Sequence, residues 1–198
     1  MVSRVPLVAA AVCLALAQPA IGQRFSRRDA DGFKDKLTRI VQYGELPPAR
    51  TARTTEITDA EVNAYLRYHA KDDIPVGIVE PTLLALGDGR VSGRALVDLD
   101  AVRTQKQRGW LDPLGYLSGR MPLTAAGRLI SKDGVGRFEL ESAEISGVPV
   151  PKTVIQELLS HYSRTPEDPN GIDMDDPFPL PSRIREIRVG RSAATIVQ

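Results

Sequence analysis

Cysteine is almost missing from this chain. The one thiol, Cys13, sits in an N-terminal apolar stretch, so the remaining residues can build neither a disulfide framework nor a thiolate metal site. Histidine is nearly as scarce, with only His69 and His161, each at or beside the apolar stripe of an expected helix. That placement suits partly buried structural imidazoles better than a nucleophile's base. Ser160 beside His161 is no dyad, because adjacent helical residues point about 100° apart. The chain also lacks a G-x-S-x-G elbow, an H-E-x-x-H pair and a glycine-rich phosphate loop. No surplus of one charge sign exists either: 26 Lys and Arg stand against 25 Asp and Glu, for a net +1. A general nucleic-acid binder needs a clear cationic excess, and that class is set aside. Aromatic residues make up only 5%.

The apolar run from Val5 to Ala17 follows Arg4 and leads to small-residue exits at Ala15-Leu16-Ala17 and Ala20-Ile21-Gly22. This pattern predicts a secretory signal peptide over residues 1–22. Its thirteen residues fall short of the roughly 20 that a membrane-crossing helix needs. An uncleaved anchor and a lipidated Cys13 are the alternatives, the second fitting poorly because Val12 is large at the position before the cut. Removal of residues 1–22 takes only Arg4 and leaves 25 charges of each sign. Residues 23–198 are expected to form one exported, soluble domain, periplasmic or secreted, large enough to hold a core without covalent staples.

Phe33, Leu37, Ile40 and Val41 recur at helical spacing within residues 26–44 and predict an amphipathic helix. Leu46-Pro47-Pro48 through Thr55 reads as a polar connection. Thr58-Asp59-Ala60-Glu61 is a capping box, and the helix it opens places Val62, Tyr65, Leu66 and His69 on one face. From Val76 the period shortens to two. A first hairpin turns at Gly87-Asp88-Gly89, with Val91, Gly93, Ala95, Val97, Leu99 and Ala101 alternating against polar neighbours. A second, from Met121 to Ile145, turns at Lys132-Asp133-Gly134 and carries Leu123, Ala125 and Leu129 in one arm, Phe138 and Leu140 in the other. Its apolar phase slips at Ala143 and Ile145, which predicts a bulge. Pro151 suits the first position of a helix striped by Val154, Ile155, Leu158 and Tyr162. Two short strands about Gly190-Arg191 close the chain. Antiparallel hairpins segregated from helices give an α+β fold.

Two segments admit two readings each. Glu167, Asp168, Asp173, Asp175 and Asp176 form an acidic loop, either solvated or able to hold calcium, although its spacing departs from the EF-hand. Between the hairpins, Trp110, Leu111, Leu114 and Leu117 cluster among Arg103, Lys106, Arg108 and Arg120. An apolar element with cationic flanks fits a membrane interface, and it equally fits a plug over the end of a sheet core.

The order of motifs in the last 75 residues carries a resemblance: a strand into Glu144-Ile145-Ser146-Gly147-Val148-Pro149-Val150-Pro151, a helix, a loop ending Leu180-Pro181, then Ile184-Arg185-Glu186-Ile187-Arg188-Val189 and a final strand. It resembles the exported LmeA-type phospholipid-binding proteins and their TULIP-like lipid-binding relatives. The stretch from Thr55 to Leu66, with Thr58, Glu61 and Asn63, is similar to the helix-opening stretch of that neighbourhood. The resemblance implies a long curved antiparallel sheet wrapped around amphipathic helices, a lipid held between them, and no catalytic residues. The Trp110 segment and the acidic loop have no counterpart in the pattern.

Small residues at Gly93, Ala95, Ala101, Ala125 and Gly127 leave room on the inward face, either for an acyl chain or for close helix packing. The expected function is therefore non-enzymatic: binding a phospholipid or related lipid in the cell envelope, with carriage of that lipid as its extension, and with no cofactor, no metal and no nucleic-acid partner. The expected apolar lining is Val91, Ala95, Val97, Leu99, Leu123, Leu129, Phe138, Leu140, Val154, Leu158 and Tyr162, and the expected membrane contact is Trp110, Leu111, Leu114 and Leu117. The competing function is an envelope interaction or scaffold domain with a fully packed core.

Overall fold

The computed structural model describes residues 25–47, 51–101, 119–164 and 169–198, apart from the side chains of Leu158, His161 and Tyr162. Three helices and nine strands are described: α1 (Arg27–Glu45), β1 (Thr54–Thr58), α2 (Asp59–Tyr68), β2 (Ile78–Gly87), β3 (Arg90–Asp98), β4 (Arg120–Lys132), β5 (Val135–Ile145), β6 (Val148–Pro149), α3 (Lys152–Ser163), β7 (Phe178–Pro179), β8 (Glu186–Val189) and β9 (Ala193–Val197). The class is α+β, built on a twisted antiparallel sheet. Its strands run β2-β3-β4-β5-β6, with β7 added on β5, and a second sheet runs β1-β9-β8.

Local chemistry explains the long sheet. Each of its hairpins turns on two residues of positive φ, Asp88-Gly89, Asp133-Gly134 and Ser146-Gly147, the conformation that matches the twist of the flanking strands. Between β4 and β5 the register jumps from Ala126↔Ser142 to Gly127↔Leu140, so Glu141 is the extra residue of a bulge. The phase slip in the sequence marked this bulge. Glu141 uses it to reach Arg90 Nε at 2.9 Å and Arg128 Nε at 3.8 Å.

In the second sheet the closing strands β8 and β9 were expected, but β1 was not. β1 lies where a polar connection was expected, and it pairs with β9 from Thr54↔Val197 to Thr58↔Ala193. Threonines are β-branched and favour a pleated backbone, yet they supply no apolar alternation for a sequence reader to see. Helices α1 and α2 pack together and onto this small sheet. The buried cluster is Phe33, Ile40, Ile57, Leu180, Ile184 and Ile196, flanked by Leu37, Val62, Tyr65 and Ile187. Phe33 meets Tyr65 edge-on, with ring centroids 5.1 Å apart. At Gly44 any Cβ would lie 2.6 Å from the Ser182 carbonyl oxygen, so glycine is what lets the end of α1 touch the Leu180–Ile184 segment.

The small sheet meets the long one at its turn end. Ser131 Oγ donates to the Ile187 carbonyl at 3.0 Å and accepts from its amide at 2.7 Å. The Gly89 amide donates to Val189, and Gly134 donates to Arg185. On the other side, α2 guards the outer edge of β2. Buried Asn63 donates through Nδ2 to the Leu83 carbonyl and accepts the Leu83 amide at Oδ1, both at 2.7 Å. Asp59 Oδ1 accepts the Ala85 amide at 2.9 Å, and Ser192 donates its amide to the Ala85 carbonyl. The helix and the turn before β9 thereby close the Leu83–Ala85 stretch of an edge that could otherwise pair with another chain.

Candidate functional site

Register decides which strand residues share a face. Pairings Ala85↔Val91↔Gly127↔Leu140, Leu83↔Gly93↔Ala125↔Ala143, Ala95↔Leu123↔Ile145 and Val97↔Met121, with Leu129↔Phe138, run across four strands. Every side chain in these rows is apolar. The opposite face carries Arg94, Thr124 and Glu144 in one row and Arg90, Arg128 and Glu139 in another. Sequence alternation thus placed Val91, Ala95, Val97, Leu123, Leu129, Phe138 and Leu140 correctly on one surface, and all seven are half-buried.

The rest of the expected lining behaves differently. Leu99 is 4% exposed but belongs to a helical turn beyond β3. Asp98 caps that turn: its Oδ1 accepts the Ala101 amide and its Oδ2 the Arg120 guanidinium, each at 3.0 Å, and these contacts hold its carboxyl below the usual range. Val154 is 42% exposed, so the stripe of α3 does not bury its first member. Pro151 stands at the N-cap of α3 rather than inside its first turn. The side chains of Leu158 and Tyr162 lie outside the described residues, as do Trp110, Leu111, Leu114 and Leu117.

Cover over the apolar face is uneven. At the turn end it lies under β8, held through Ser131, and under the ring of Phe178, which sits where a Cβ on Gly136 would be. The room expected at Gly127 is occupied by the ring of Phe138, 2.5 Å from where a Cβ would stand, and Leu83 reaches over Gly93. The small residues Ala95, Ala125 and Ala143 continue toward the far end. There α3 packs along β5, and the Val150 amide donates to the Ala143 carbonyl.

The polar groups weighed for catalysis are engaged elsewhere. His69 Nε2 lies 2.7 Å from Asp31 Oδ1 on the surface of the helix pair. Ser160 Oγ donates to the Ile172 carbonyl at 3.2 Å and accepts from Gln156 at 2.8 Å. In the acidic loop, Asp175 pairs with Lys152 at the start of α3, while Glu167 and Asp168 lie outside the described residues. Among the described residues, no group of three or more His, Cys, Asp or Glu is arranged to hold a metal ion. No helix among them is long and apolar enough to cross a membrane.

A second concavity, one that sequence reading missed, opens between the end of α2 and the start of β2, with β3 behind it. It is an open cleft of about 950 Å³ whose walls include Leu66, Tyr68, Ile74, Val76 and Leu96. Its residues come from three separated stretches, and only α2 packing on β2 brings them together.

The fold and this face define an α+β protein with one long apolar sheet surface. No protein-family model and no curated protein matches the chain. Among solved structures, it is similar to "Crystal structure of lipopolysaccharide binding protein" at 14% identity and a TM-score of 0.23, over 77% of this chain and 45% of that one. The chain therefore spans less than half the length of that protein.

Proposed function

We propose that the protein binds a lipid without catalysis, laying an acyl chain along the far part of the apolar sheet face beside α3. The observation that carries this reading is the continuous apolar register from Ala95 through Leu123 and Ala125 to Ile145, half-buried apart from the fully covered Ala143. Burial of a methylene contributes about 0.8 kcal/mol, so ten of them offer roughly 8 kcal/mol before association and ordering costs. Micromolar affinity is reachable on that basis with no head-group contact. The resemblance of residues 55–198 to LmeA-type phospholipid-binding proteins fits the same ligand class. In this reading residues 1–22 direct export and the protein acts in the cell envelope.

Mass spectrometry of organic extracts from gently purified protein tests the proposal. A phospholipid or related lipid at near one per chain is the expected result. Ala125→Trp fills the middle of the face, and the variant should keep a near-normal melting temperature while losing the lipid. A wild type that never yields lipid, together with an Ala125→Trp variant that is strongly destabilised, identifies a packed core and overturns the proposal.

A further inference from the structure

The cleft at the end of α2 has an uneven charge distribution that the balanced composition hides. Arg27, Arg67, Lys71 and Arg94 stand around it, against Glu80 as the one carboxylate in its lining. Arg27 is held by its guanidinium over the Tyr68 ring, 5.4 Å from the centroid, and the Tyr68 hydroxyl in turn donates to the Phe25 carbonyl at 3.1 Å. Arg67, Lys71 and Arg94 form no ion pair among the described residues, whereas Arg90, Arg120, Arg128 and Arg188 do. Cations gathered without partners repel one another, and an anion between them removes that cost. Guanidinium forks match phosphate oxygens in geometry, and the walls below them are apolar at Leu66, Ile74, Val76 and Leu96. The volume of about 950 Å³ is of the size that small-molecule sites take.

We propose that this cleft binds the phosphate head of an anionic lipid, the charged group meeting Arg67, Lys71 and Arg94 while the first part of the chain lies on the apolar walls. The cleft lies at the β2 edge and meets the apolar sheet face at Ala95, and its charged groups do not depend on lipid binding on that face. Its backbone has one unusual element: Glu80 has a φ of +50° immediately before Pro81, where β2 breaks register with β3 between Val79 and Thr82. This break forms part of the wall that faces α2.

Titration calorimetry of the full chain with dihexanoyl phosphatidic acid, dihexanoyl phosphatidylcholine and inorganic phosphate tests the site, since the short chains allow monomeric ligands. Phosphatidic acid should bind at least about tenfold more tightly than either of the others, and added salt should weaken it. Arg67→Gln with Arg94→Gln should reduce that affinity at least about tenfold with little change in melting temperature, as neither side chain has an ionic partner among the described residues. Ala125→Trp on the sheet face should leave it unchanged. Equal affinity for the two lipids, or an unaffected double variant, overturns the proposal. Inorganic phosphate binding as tightly as phosphatidic acid overturns the lipid source. Loss of binding in Ala125→Trp alone places the ligand on the sheet face and removes the cleft from the account.

Discussion

At the scale of single residues, Asn63 has the largest structural consequence relative to its size. It is 2% exposed, and its amide completes both hydrogen bonds of Leu83 as a neighbouring strand would. Asn63→Ala strands two backbone groups at a guarded edge, and equilibrium unfolding in urea should show a loss of about 2 kcal/mol. Glu61 contributes in a different way. Burial pushes its carboxyl up, but the Lys36 ammonium and the Thr58 amide and hydroxyl outweigh burial and leave it below the usual carboxylate range. A depressed carboxyl stabilises the fold above its unfolded pKa and loses that contribution as pH falls through its folded pKa. The difference in melting temperature between wild type and Glu61→Gln should therefore be widest near about pH 7 and close toward about pH 3. Glu80 supplies the opposite case, a residue whose conformation opposes the fold. Left-handed backbone before a proline is costly for a side chain with a Cβ, so Glu80→Gly should raise stability by about 0.5–1 kcal/mol in the same unfolding experiment. The capping role of Thr58 and Glu61 was legible because both partners lie within four residues. The role of Asn63 was not, because its partner lies 20 residues away in a strand.

Among the elements, those whose stabilising interactions are local or periodic were readable. α1 follows its apolar stripe at Phe33, Leu37 and Ile40 but leaves Val41 exposed, α2 keeps Val62, Tyr65 and Leu66 partly buried but leaves His69 exposed at its end, and the hairpins β2–β3 and β4–β5 follow alternation and their Asp-Gly turns. Even the bulge at Glu141 left a trace, since one extra residue reverses which positions are apolar. β1 left none: Thr54–Thr58 has a single large apolar residue, Ile57, and its strand character comes from β9, some 140 residues later. The cleft was hidden for the same reason, because its lining joins Phe25 and Arg27, residues between Asn63 and Thr82, and Arg94 to Leu96, and nothing in their local pattern shows that they meet. Strand phase is testable directly. Val97→Arg places a cation on the apolar face and should cost about 2 kcal/mol, whereas Ser142→Arg on the opposite, exposed face should stay within about 0.5 kcal/mol. Similar losses for both would show that the faces are misassigned.

For the whole molecule, stability is concentrated at one end. The buried cluster lies among α1, α2 and the small sheet, while Ile78, Val97 and Met121 mark the opposite end of the long sheet, away from the turns that meet β8. Amides in β9 and α2 should therefore exchange with solvent deuterium more slowly than those around Val97 and Met121. A bound acyl chain on the proposed face should protect the second group selectively. This contrast also reports on the ligand before its identity is known.

The pairing of Thr54 with Val197 has a kinetic meaning. Hairpins β2–β3 and β4–β5 join strands that follow one another through two-residue turns, so these parts of the long sheet can close quickly. β1 and β9 must instead find each other across nearly the whole meander, a search whose entropic cost grows with the logarithm of the intervening length. The last event of folding should then be the fastening of this clasp, after the apolar sheet face already exists and while it is still accessible from the side that β8 later covers. A folding chain would carry its sheet for an interval without its lock, and an apolar ligand present during that interval could enter by a path that the finished molecule no longer offers.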